Sequence, residues 1–282
     1  MRVVCAGHVN WDVTLCVDRL PAPDDEARVR ERFESGGGSA ANAAVALAAL
    51  DADARLLGSV GHDDAGQETL ESLRERGVET RVKVADDEPT TTKYVLVDDD
   101  GEVALVGSDG ANEALAPADV SPAVLDGADA LHLTGQRPDT AVRLAELAVD
   151  RDVPVSFDPG RRLGDRNFGP VLERADVVFA TDRESAGVDF EVPWQVTKHG
   201  PDGATLDCPE GTLDHPGYGL PSVDSTGAGD AFAAGFLAAW LRDADPERAL
   251  AVANACGALA ASERGPRPPI SWTRVEEVLA EA

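Results

Sequence analysis

The chain has 282 residues, 43% of them hydrophobic, and is long enough to bury the core of one large domain or of a domain with an appendage. Its 52 acidic residues against 25 lysines and arginines give a formal net charge of −27, which excludes nonspecific nucleic-acid binding because that needs a basic face. No run of about 18 uncharged apolar residues occurs, so the sequence predicts neither a signal peptide nor a membrane span.

Charge and cysteine usage both indicate a salt-rich, reducing cytoplasm. The acidic residues are spread along the chain, and arginine carries nearly all the positive charge because only three lysines occur. Self-repulsion on this scale destabilises a compact state in dilute buffer and is screened by salt, so we expect a protein from an extreme halophile. The cysteines lack C-x-x-C spacing and neighbouring histidines, which predicts reduced thiols rather than a zinc site. They are Cys5, Cys16, Cys208 and Cys256.

The first hundred residues predict short strands and two helices. Several of the strands alternate polar and apolar residues, which gives them one wet face, and the turn Asp98–Gly101 predicts a hairpin. The predicted helices are the alanine-rich Ser39–Leu50 and the segment Ala65–Arg76. The predicted strands are Val3–Cys5, Val13–Val17, Ala27–Phe33, Arg55–Val60, Thr90–Val97 and Glu102–Val106.

Beyond Gly110 strands and helices alternate, which is typical of a mostly parallel sheet with helices on both faces. The strands predicted there are Ala130–Leu133, Val153–Asp158 and Val177–Ala180. The predicted helices are Thr140–Asp150, Ala228–Arg242, Pro246–Glu263 and Trp272–Ala280. The early alternating strands do not fit such a sheet, so we expect an α/β fold with a small separate β layer.

The segment Asp224–Asp230 carries the strongest chemical signal. Gly227 and Gly229 leave room for amide N–H groups to close on an anion, and the helix that follows directs its positive end to the same point. Asp230 adds a carboxylate that can accept the proton of a hydroxyl nucleophile. Taken alone, the segment also fits a capped helix whose first-turn acid complements the helix dipole.

A second glycine cluster, Gly36–Asn42, formally satisfies the dinucleotide pattern G-x-G-x-x-A. That fingerprint needs a buried apolar strand before it, whereas residues 30–35 are mostly polar, and no Gly-Lys-Ser or Gly-Lys-Thr triplet of a Walker A loop occurs. The glycines instead let backbone approach a polyhydroxylated ligand, with Asn42 offering a donor and an acceptor. Asn10 and Asp12 follow the first strand, where both sugar-binding residues and simple turn caps occur.

Together these segments resemble the PfkB, or ribokinase-like, family of carbohydrate and nucleoside kinases over nearly the whole chain. The resemblance rests on an ordered set of motifs rather than on any one of them. The set comprises Gly7–Asp12, Gly37–Asn42, Gly58–Gly66, Thr90, Asp158–Arg161, Gly200–Ala204 and Asp224–Asp230. It implies a single kinase domain over residues 1–282, in which a small β-sheet lid with strands within about 11–34 and 89–107 covers the sugar site.

The resemblance also implies the reaction and the residues that perform it. We expect ATP-dependent phosphorylation of a hydroxymethyl group on a small sugar or sugar derivative, with Mg²⁺ and with K⁺ as a candidate monovalent cation. Asp230 would be the catalytic base, and the amides of Gly227, Ala228 and Gly229 would form the anion hole. The expected substrate residues are Asn10, Asp12, Gly37, Gly38 and Asn42. The expected nucleotide residues are Lys198, Gly200, Gly203, Thr226 and Asn254. The expected metal residues are Glu184, which would bind Mg²⁺ through water, and Asp224, near a monovalent-cation loop.

The sequence departs from the family pattern at three places, which affect Mg²⁺ binding, the choice of phosphate donor and the identity of the acceptor. The family motif N-x-x-E reads Thr181-Asp182-Arg183-Glu184 here, so we expect an altered Mg²⁺–water network. The segment 185–196 is short, which leaves the phosphate-donor preference open. Ser39 stands where ribokinases tend to have lysine, which weakens a ribose assignment.

The sequence leaves several alternatives open for the function and for the roles of individual residues. A nucleoside kinase fits as well as a sugar kinase, because acceptor specificity depends on lid and loop side chains. A noncatalytic ligand sensor on the same fold is the alternative from another class, although a sensor needs no base. Asp158 and Arg161 fit a ligand contact or an exposed turn, and Arg264–Arg267 fits a nucleotide contact or a helix end. Histidines are treated as structural or surface residues, and exposed lid strands could pair in a homodimer.

Overall fold

Thirteen strands occur in the part of the chain that the computed structural model describes, which is residues 1–100, 102–108, 110–185 and 192–281. In chain order they are β1 (Arg2–Ala6), β2 (Asn10–Val17), β3 (Val29–Gly37), β4 (Asp53–Gly61), β5 (Glu79–Ala85), β6 (Thr92–Val97), β7 (Val103–Gly107), β8 (Ala130–Thr134), β9 (Val155–Asp158), β10 (Val177–Thr181), β11 (Trp194–Lys198), β12 (Ala204–Cys208) and β13 (Gly211–His215). Nine form a large sheet in the order β13-β12-β11-β10-β9-β8-β1-β4-β5. All neighbours from β11 to β5 pair in parallel, and β12 and β13 add an antiparallel edge.

Helices cover both faces of the large sheet. The α-helices of the described residues are α1 (Ser39–Ala49), α2 (Asp64–Glu75), α3 (Pro138–Val149), α4 (Gly169–Leu172), α5 (Asp182–Ser185), α6 (Ala228–Trp240), α7 (Pro246–Ala261) and α8 (Trp272–Ala280). One hydrophobic core joins β1 and β4 to α1, α6, α7 and α8, and a second joins β8 and β9 to α3 and α4. Strand β1 contributes to both, because successive side chains of a strand point to opposite faces. Val3 and Cys5 belong to the first core, and Val4 and Ala6 to the second.

The remaining four strands form a small sheet in the order β3-β2-β6-β7. Strand β2 pairs antiparallel with β3 and parallel with β6, and β6 and β7 form the expected hairpin. Asp12 of β2 lies opposite Lys93 of β6, so both side chains lie on the same face. This small sheet confirms the predicted separate β layer. Together with the large parallel sheet and its helices, it confirms the predicted α/β fold class.

Four strands of the large sheet were not predicted. Strands β5, β12 and β13 lie at or near its two edges and are only partly buried, so their sequences lack a continuous apolar run. Strand β11 begins at Trp194, inside the segment 185–196 that was predicted to be short. Residues 186–191 of that segment lie outside the described residues. No described helix is long and apolar enough to cross a membrane, and all four cysteines are unpaired.

Candidate active site

The carboxyl ends of the parallel strands gather polar side chains at one edge of the large sheet. Asn10 follows β1, Gln136 follows β8, Asp158 ends β9 and Lys198 ends β11. Because these strands are close neighbours in a parallel sheet, the four side chains lie along one edge. Open α/β sheets bind ligands in the crevice outside this edge.

The loop Asp224–Asp230 is held against the C-terminal segment by its first residue. One carboxylate oxygen of Asp224 accepts from the amide of Thr226 at 2.9 Å, and the other accepts from the amide of Gly265 at 2.9 Å. The Asp224 amide itself donates to the carbonyl of Ala261 at the end of α7. Asp224 therefore holds the loop against the C-terminal segment.

The turn into α6 requires glycine at position 227. Gly227 has a φ of 76°, and a Cβ there would lie 2.3 Å from the carbonyl oxygen of Pro266. The amide of Ala228 donates to the carbonyl of Ser225 at 3.2 Å, whereas the amides of Gly227 and Gly229 find no acceptor among the described residues. Unpaired N–H groups at a helix N-terminus are suited to an anion.

The Asp230 carboxylate lies in the first turn of α6 and has a pKa close to neutral pH. Burial raises its pKa to about 7; a hydrogen bond from Asn42 at 2.9 Å opposes the rise, Asp158 adds to it, and Lys198 and Lys93 also oppose it. The side chain keeps partial contact with solvent although protein surrounds it densely. A base with a pKa near the working pH is efficient in general-base catalysis.

Arg267 fixes the orientation of Asn42, a contact that the sequence did not reveal. Its Nε donates to Asn42 Oδ1 at 3.0 Å, and another guanidinium nitrogen donates to the carbonyl of Gly37 at 3.0 Å. Since a guanidinium only donates, the Asn42 amide must direct its oxygen to Arg267 and its NH₂ group to Asp230. From the sequence alone, Arg264–Arg267 fits either a nucleotide contact or a helix end.

Asp12 faces the glycine cluster with one oxygen free. Its side chain is 7% exposed, and Oδ1 has no hydrogen-bond partner among the described residues. Burial raises the pKa of Asp12, and the positive charges of Lys93 and Arg267 oppose that rise. A Cβ on Gly37 would lie 2.1 Å from the Asp12 carboxylate, so glycine is required for this close approach. Gly38 has a φ of 96° and packs against the backbone of the loop after β1.

Asn10 is fully buried and hydrogen-bonded to a residue that was not predicted to belong to the site. The Nδ2 of Asn112 donates to Asn10 Oδ1 at 2.5 Å, and Asn112 Oδ1 accepts from the amide of Val9 at 3.1 Å. The Nδ2 of Asn10 is buried and lacks an acceptor within the described residues. A donor left in this state needs an acceptor from a ligand or from water.

Lys198 lies beside the helix terminus as one half of a buried ion pair. Its Nζ is 2.7 Å from the Asp158 carboxylate, and both side chains are 11% exposed. Burial would lower the pKa of Lys198, but the charge and hydrogen bond of Asp158 outweigh it and raise the pKa. The same Nζ lies 3.4 Å from the position that a Cβ on Gly229 would occupy. A permanent positive charge therefore lies next to the unpaired amides.

The other expected nucleotide residues differ in how they are presented. Gly200 and Gly203 have positive φ angles, and a Cβ on Gly203 would collide with backbone while one on Gly200 would meet open space. Asn254 is 5% exposed and donates to the carbonyl of Leu250 one turn back in α7. Thr226 is half-buried in the loop before α6. The structure thus places Gly200 and Thr226 at accessible positions and Asn254 inside the helix packing.

The two expected metal residues are engaged by backbone amides. Glu184 accepts from the amide of Thr181 at 2.8 Å, and the Thr181 hydroxyl lies 3.4 Å from the Glu184 amide, which is the reciprocal arrangement of a capping box. Both oxygens of Asp224 accept amide bonds. Within the described residues no three acidic, histidine or cysteine side chains form a metal cluster. This donor set suits Mg²⁺ bound mainly by phosphates and water, as is common for that ion.

Comparison with known proteins identifies the family. The model of the pfkB family carbohydrate kinases matches residues 1–188 and 186–273. The chain belongs to this family. An ATP-dependent ribose-1-phosphate kinase of Halopiger xanaduensis is 52% identical over 292 residues, covering 100% of this chain and 99% of the relative. This kinase is thus an ATP-dependent sugar kinase rather than a noncatalytic sensor, and the halophilic relative agrees with the prediction made from its charge.

More distant relatives include both sugar and nucleoside kinases. A nucleoside kinase of Methanothermobacter thermautotrophicus is 28% identical over 289 residues, covering 96% of this kinase and 93% of the relative. The solved nucleoside kinase of Methanocaldococcus jannaschii has a TM-score of 0.89 at 23% identity and covers 100% and 98% of the two chains. Arabidopsis thaliana ribokinase complexed with ribose and ATP has a TM-score of 0.86 at 23% identity and covers 99% and 98%. These structures support the ribokinase-like fold.

Proposed function

We propose that this kinase transfers the terminal phosphoryl group of ATP to the hydroxymethyl group of ribose 1-phosphate. The acceptor is suggested by the relative that is 52% identical along the whole chain and is named for that substrate. The observation that carries the chemistry is Asp230, a carboxylate with a pKa of about 7 at the start of α6, next to unpaired amides. ATP as donor is compatible with the cytoplasmic location predicted from the sequence.

In this proposal Asp230 accepts the hydroxyl proton as the oxygen attacks the phosphoryl group. The amides of Gly227 and Gly229 and the charge of Lys198 would stabilise the transferring phosphoryl oxygens, which is where negative charge increases. Ala228 would contribute less, because its amide already donates to Ser225. A carboxylate with a pKa near 7 fits a base that must be ionised before the reaction and protonated after it.

The sugar would lie between the glycine cluster and the small sheet. Asp12 has a free carboxylate oxygen for the ring hydroxyls, and Asn10 has a free amide donor. Gly37 and Gly38 allow the backbone to approach the ligand, and Asn42 would position the reacting end through its bond to Asp230. We further propose that the small sheet is a lid that closes over this site and excludes water.

The nucleotide would occupy the edge of the sheet beside α6. Gly200, Gly203 and Thr226 line the expected path, and Asn254 would act from within α7. Mg²⁺ would neutralise charge on the phosphates, with Glu184 as a water-mediated partner, and chelation by EDTA should abolish turnover. For K⁺ we propose the loop of Asp224, and activity that is higher in KCl than in NaCl of equal concentration would support it.

A substrate panel tests the proposed acceptor. ADP release is measured in about 3 M KCl with Mg-ATP and ribose 1-phosphate, ribose or nucleosides, and ribose 1-phosphate should give the highest kcat/KM.

Asp230→Asn should lower kcat by about 10²-fold or more with a much smaller effect on acceptor binding. Asp139→Asn is the matched control, because Asp139 is also a first-turn acid but belongs to α3. Turnover that survives Asp230→Asn would refute the base assignment.

A nucleoside kinase is the second candidate function. Nucleoside kinases of two methanogens align with more than nine-tenths of this chain at 28% and 24% identity. Both functions require the same base and the same hydroxymethyl group, so only the group on the anomeric carbon separates them. A higher kcat/KM for a nucleoside than for ribose 1-phosphate would favour this candidate.

We also propose that the kinase forms a homodimer through the small sheet. Phe33, Val103 and Leu105 are 45%, 56% and 47% exposed, and they lie on the same face of that sheet as Asp12. Exposed apolar side chains in such number mark an interaction surface in a soluble protein. Sedimentation in about 3 M KCl should give a dimer, and Leu105→Glu should give a monomer.

A further inference from the structure

A cluster of histidine, arginine and amide side chains lies beside the sugar site, and apart from His8 and Asn10 its members lie outside the kinase motifs. Glu113 Oε1 is 3.1 Å from His8 Nε2 and accepts from a guanidinium nitrogen of Arg166 at 3.0 Å. The other terminal nitrogen of Arg166 donates to the carbonyl of Gln136 at 3.0 Å. His8 and Arg166 side chains are each 17% exposed, so both are largely removed from water yet still accessible.

Two buried amide groups next to this cluster lack acceptors. The amide of Val9 can only donate, so it fixes Asn112 Oδ1 toward itself, and Asn112 Nδ2 must then donate to Asn10 Oδ1. This relay leaves the Nδ2 of Asn10 as a donor without a partner. Gln136 is 3% exposed, and its Nε2 also has no acceptor among the described residues.

The unpaired amide nitrogens of Asn10 and Gln136 are both donors, which defines the chemistry of their missing partner. A buried N–H group without an acceptor has lost its hydrogen bond to water, so a ligand that supplies acceptor oxygens gains by binding here. Arg166 has five N–H donors and uses two of its nitrogens on Glu113 and Gln136, which leaves further donors. A phosphate group offers several acceptor oxygens and a charge that suits an arginine.

Glu113 orients the side chains of His8 and Arg166. Burial would raise its pKa, but hydrogen bonds from His8 and Arg166 outweigh burial and lower it, so the carboxylate stays ionised and holds both side chains in place. A cavity of about 430 Å³ adjoins the cluster at His8, Asn112 and Glu113 and is also lined by Glu88, whereas Asn10, Gln136 and Arg166 do not line it.

We infer that His8, Arg166, Gln136 and Asn10 form a subsite for the phosphate on the anomeric carbon of the acceptor. The inference rests on the proposed function, because it needs a sugar whose hydroxymethyl group faces Asp230. Asp230 contacts the sugar site through Asn42, whereas the cluster contacts it through Asn10. A ribose held between them presents its two ends to opposite sides. The subsite would then separate sugar phosphates from free sugars and from nucleosides.

Two substitutions test the subsite by changing its charge, and Gln136→Glu does so at nearly constant shape. Gln136→Glu adds a carboxylate where the phosphate would bind, and Arg166→Gln removes a cation. Each should lower the ratio of kcat/KM for ribose 1-phosphate to kcat/KM for ribose by about 10- to 100-fold. Arg174→Gln is the matched control, because Arg174 follows α4 and its guanidinium contacts, among the described residues, only the Pro170 carbonyl and the carboxylates of Glu146 and Glu173. It should leave the ratio at the wild-type value.

Binding without turnover gives an independent readout. Calorimetric titration of ribose 1-phosphate in the absence of ATP should show a Kd raised about 10- to 100-fold in Gln136→Glu, with circular dichroism confirming its fold. An unchanged ratio and an unchanged Kd in both variants would overturn the subsite. Wild-type enzyme that prefers ribose or a nucleoside would instead refute the proposed function. The two failures are therefore distinguishable.

Discussion

At the residue scale, Asp230 controls how the rate depends on pH. Because its pKa is about 7 and the base must be ionised, kcat/KM should rise as pH passes through this value. The hydrogen bond from Asn42 favours the ionised form, so Asn42→Ala should move the acidic limb of the profile to higher pH. Asn167→Ala, which removes an exposed asparagine, should not move it. An acidic limb at the same pH in all three proteins would contradict this account.

The same carboxylate should cost stability at neutral pH. Its pKa is raised from 3.8 to about 7 in the folded protein, so between these values the folded state binds more protons than the unfolded state. The free energy of unfolding therefore falls as pH rises through this window. Asp230→Asn removes the effect, so its melting temperature relative to wild type should be higher at pH 8 than at pH 5. An equal difference at both pH values would count against a raised pKa.

The sequence revealed the groups that belong to contiguous motifs and missed those that meet only in the fold. Asp230 and Asn42 were both predicted as site residues, and the structure joins them by a hydrogen bond at 2.9 Å. Arg267, Asn112 and Gln136 carry no local signal, because their contacts come from segments far apart in the chain. Their types, an arginine and two amides, are common on loops for other reasons.

At the element scale, the turn into α6 sets where the amides point. Gly227→Ala places a methyl group 2.3 Å from the Pro266 carbonyl as well as forcing alanine to a φ of 76°. Gly77→Ala is a matched control, since Gly77 has a φ of 81° but open space around the added Cβ. Backbone strain should lower the free energy of unfolding of both variants by about 1 kcal/mol. Only Gly227→Ala should also lose most of its turnover. Equal turnover in the two variants would show that the turn does not position the site.

Strands were predicted correctly where burial gives their apolar residues a clear pattern along the chain. The strands of the small sheet alternate, and the central strands β1, β8 and β10 are short apolar runs, so both kinds were predicted. The edge strands β5 and β13 mix charged and apolar residues without either pattern, because neither face is fully covered. Tertiary pairing, rather than local sequence, determines that these segments are strands.

At the scale of the whole molecule, the net charge of −27 dominates behaviour in solution. Carboxylates outnumber the available cations twofold, so many repel one another across the surface, and salt weakens that repulsion. The melting temperature should rise between about 0.1 and 3 M KCl, and the protein should unfold on dialysis to low salt. An unchanged melting temperature over this range would contradict the halophilic account.

The position of the new phosphate on the product shows which hydroxyl receives the phosphoryl group. Phosphorus NMR of the product formed from ribose 1-phosphate and Mg-ATP identifies it, because a phosphate on a hydroxymethyl carbon couples to two protons and one on a ring carbon couples to one. We predict a new phosphomonoester signal split into a triplet, with the doublet of the anomeric phosphate retained. A new doublet, or ADP formation without any new sugar phosphate, would contradict the assignment of Asp230 to the hydroxymethyl group.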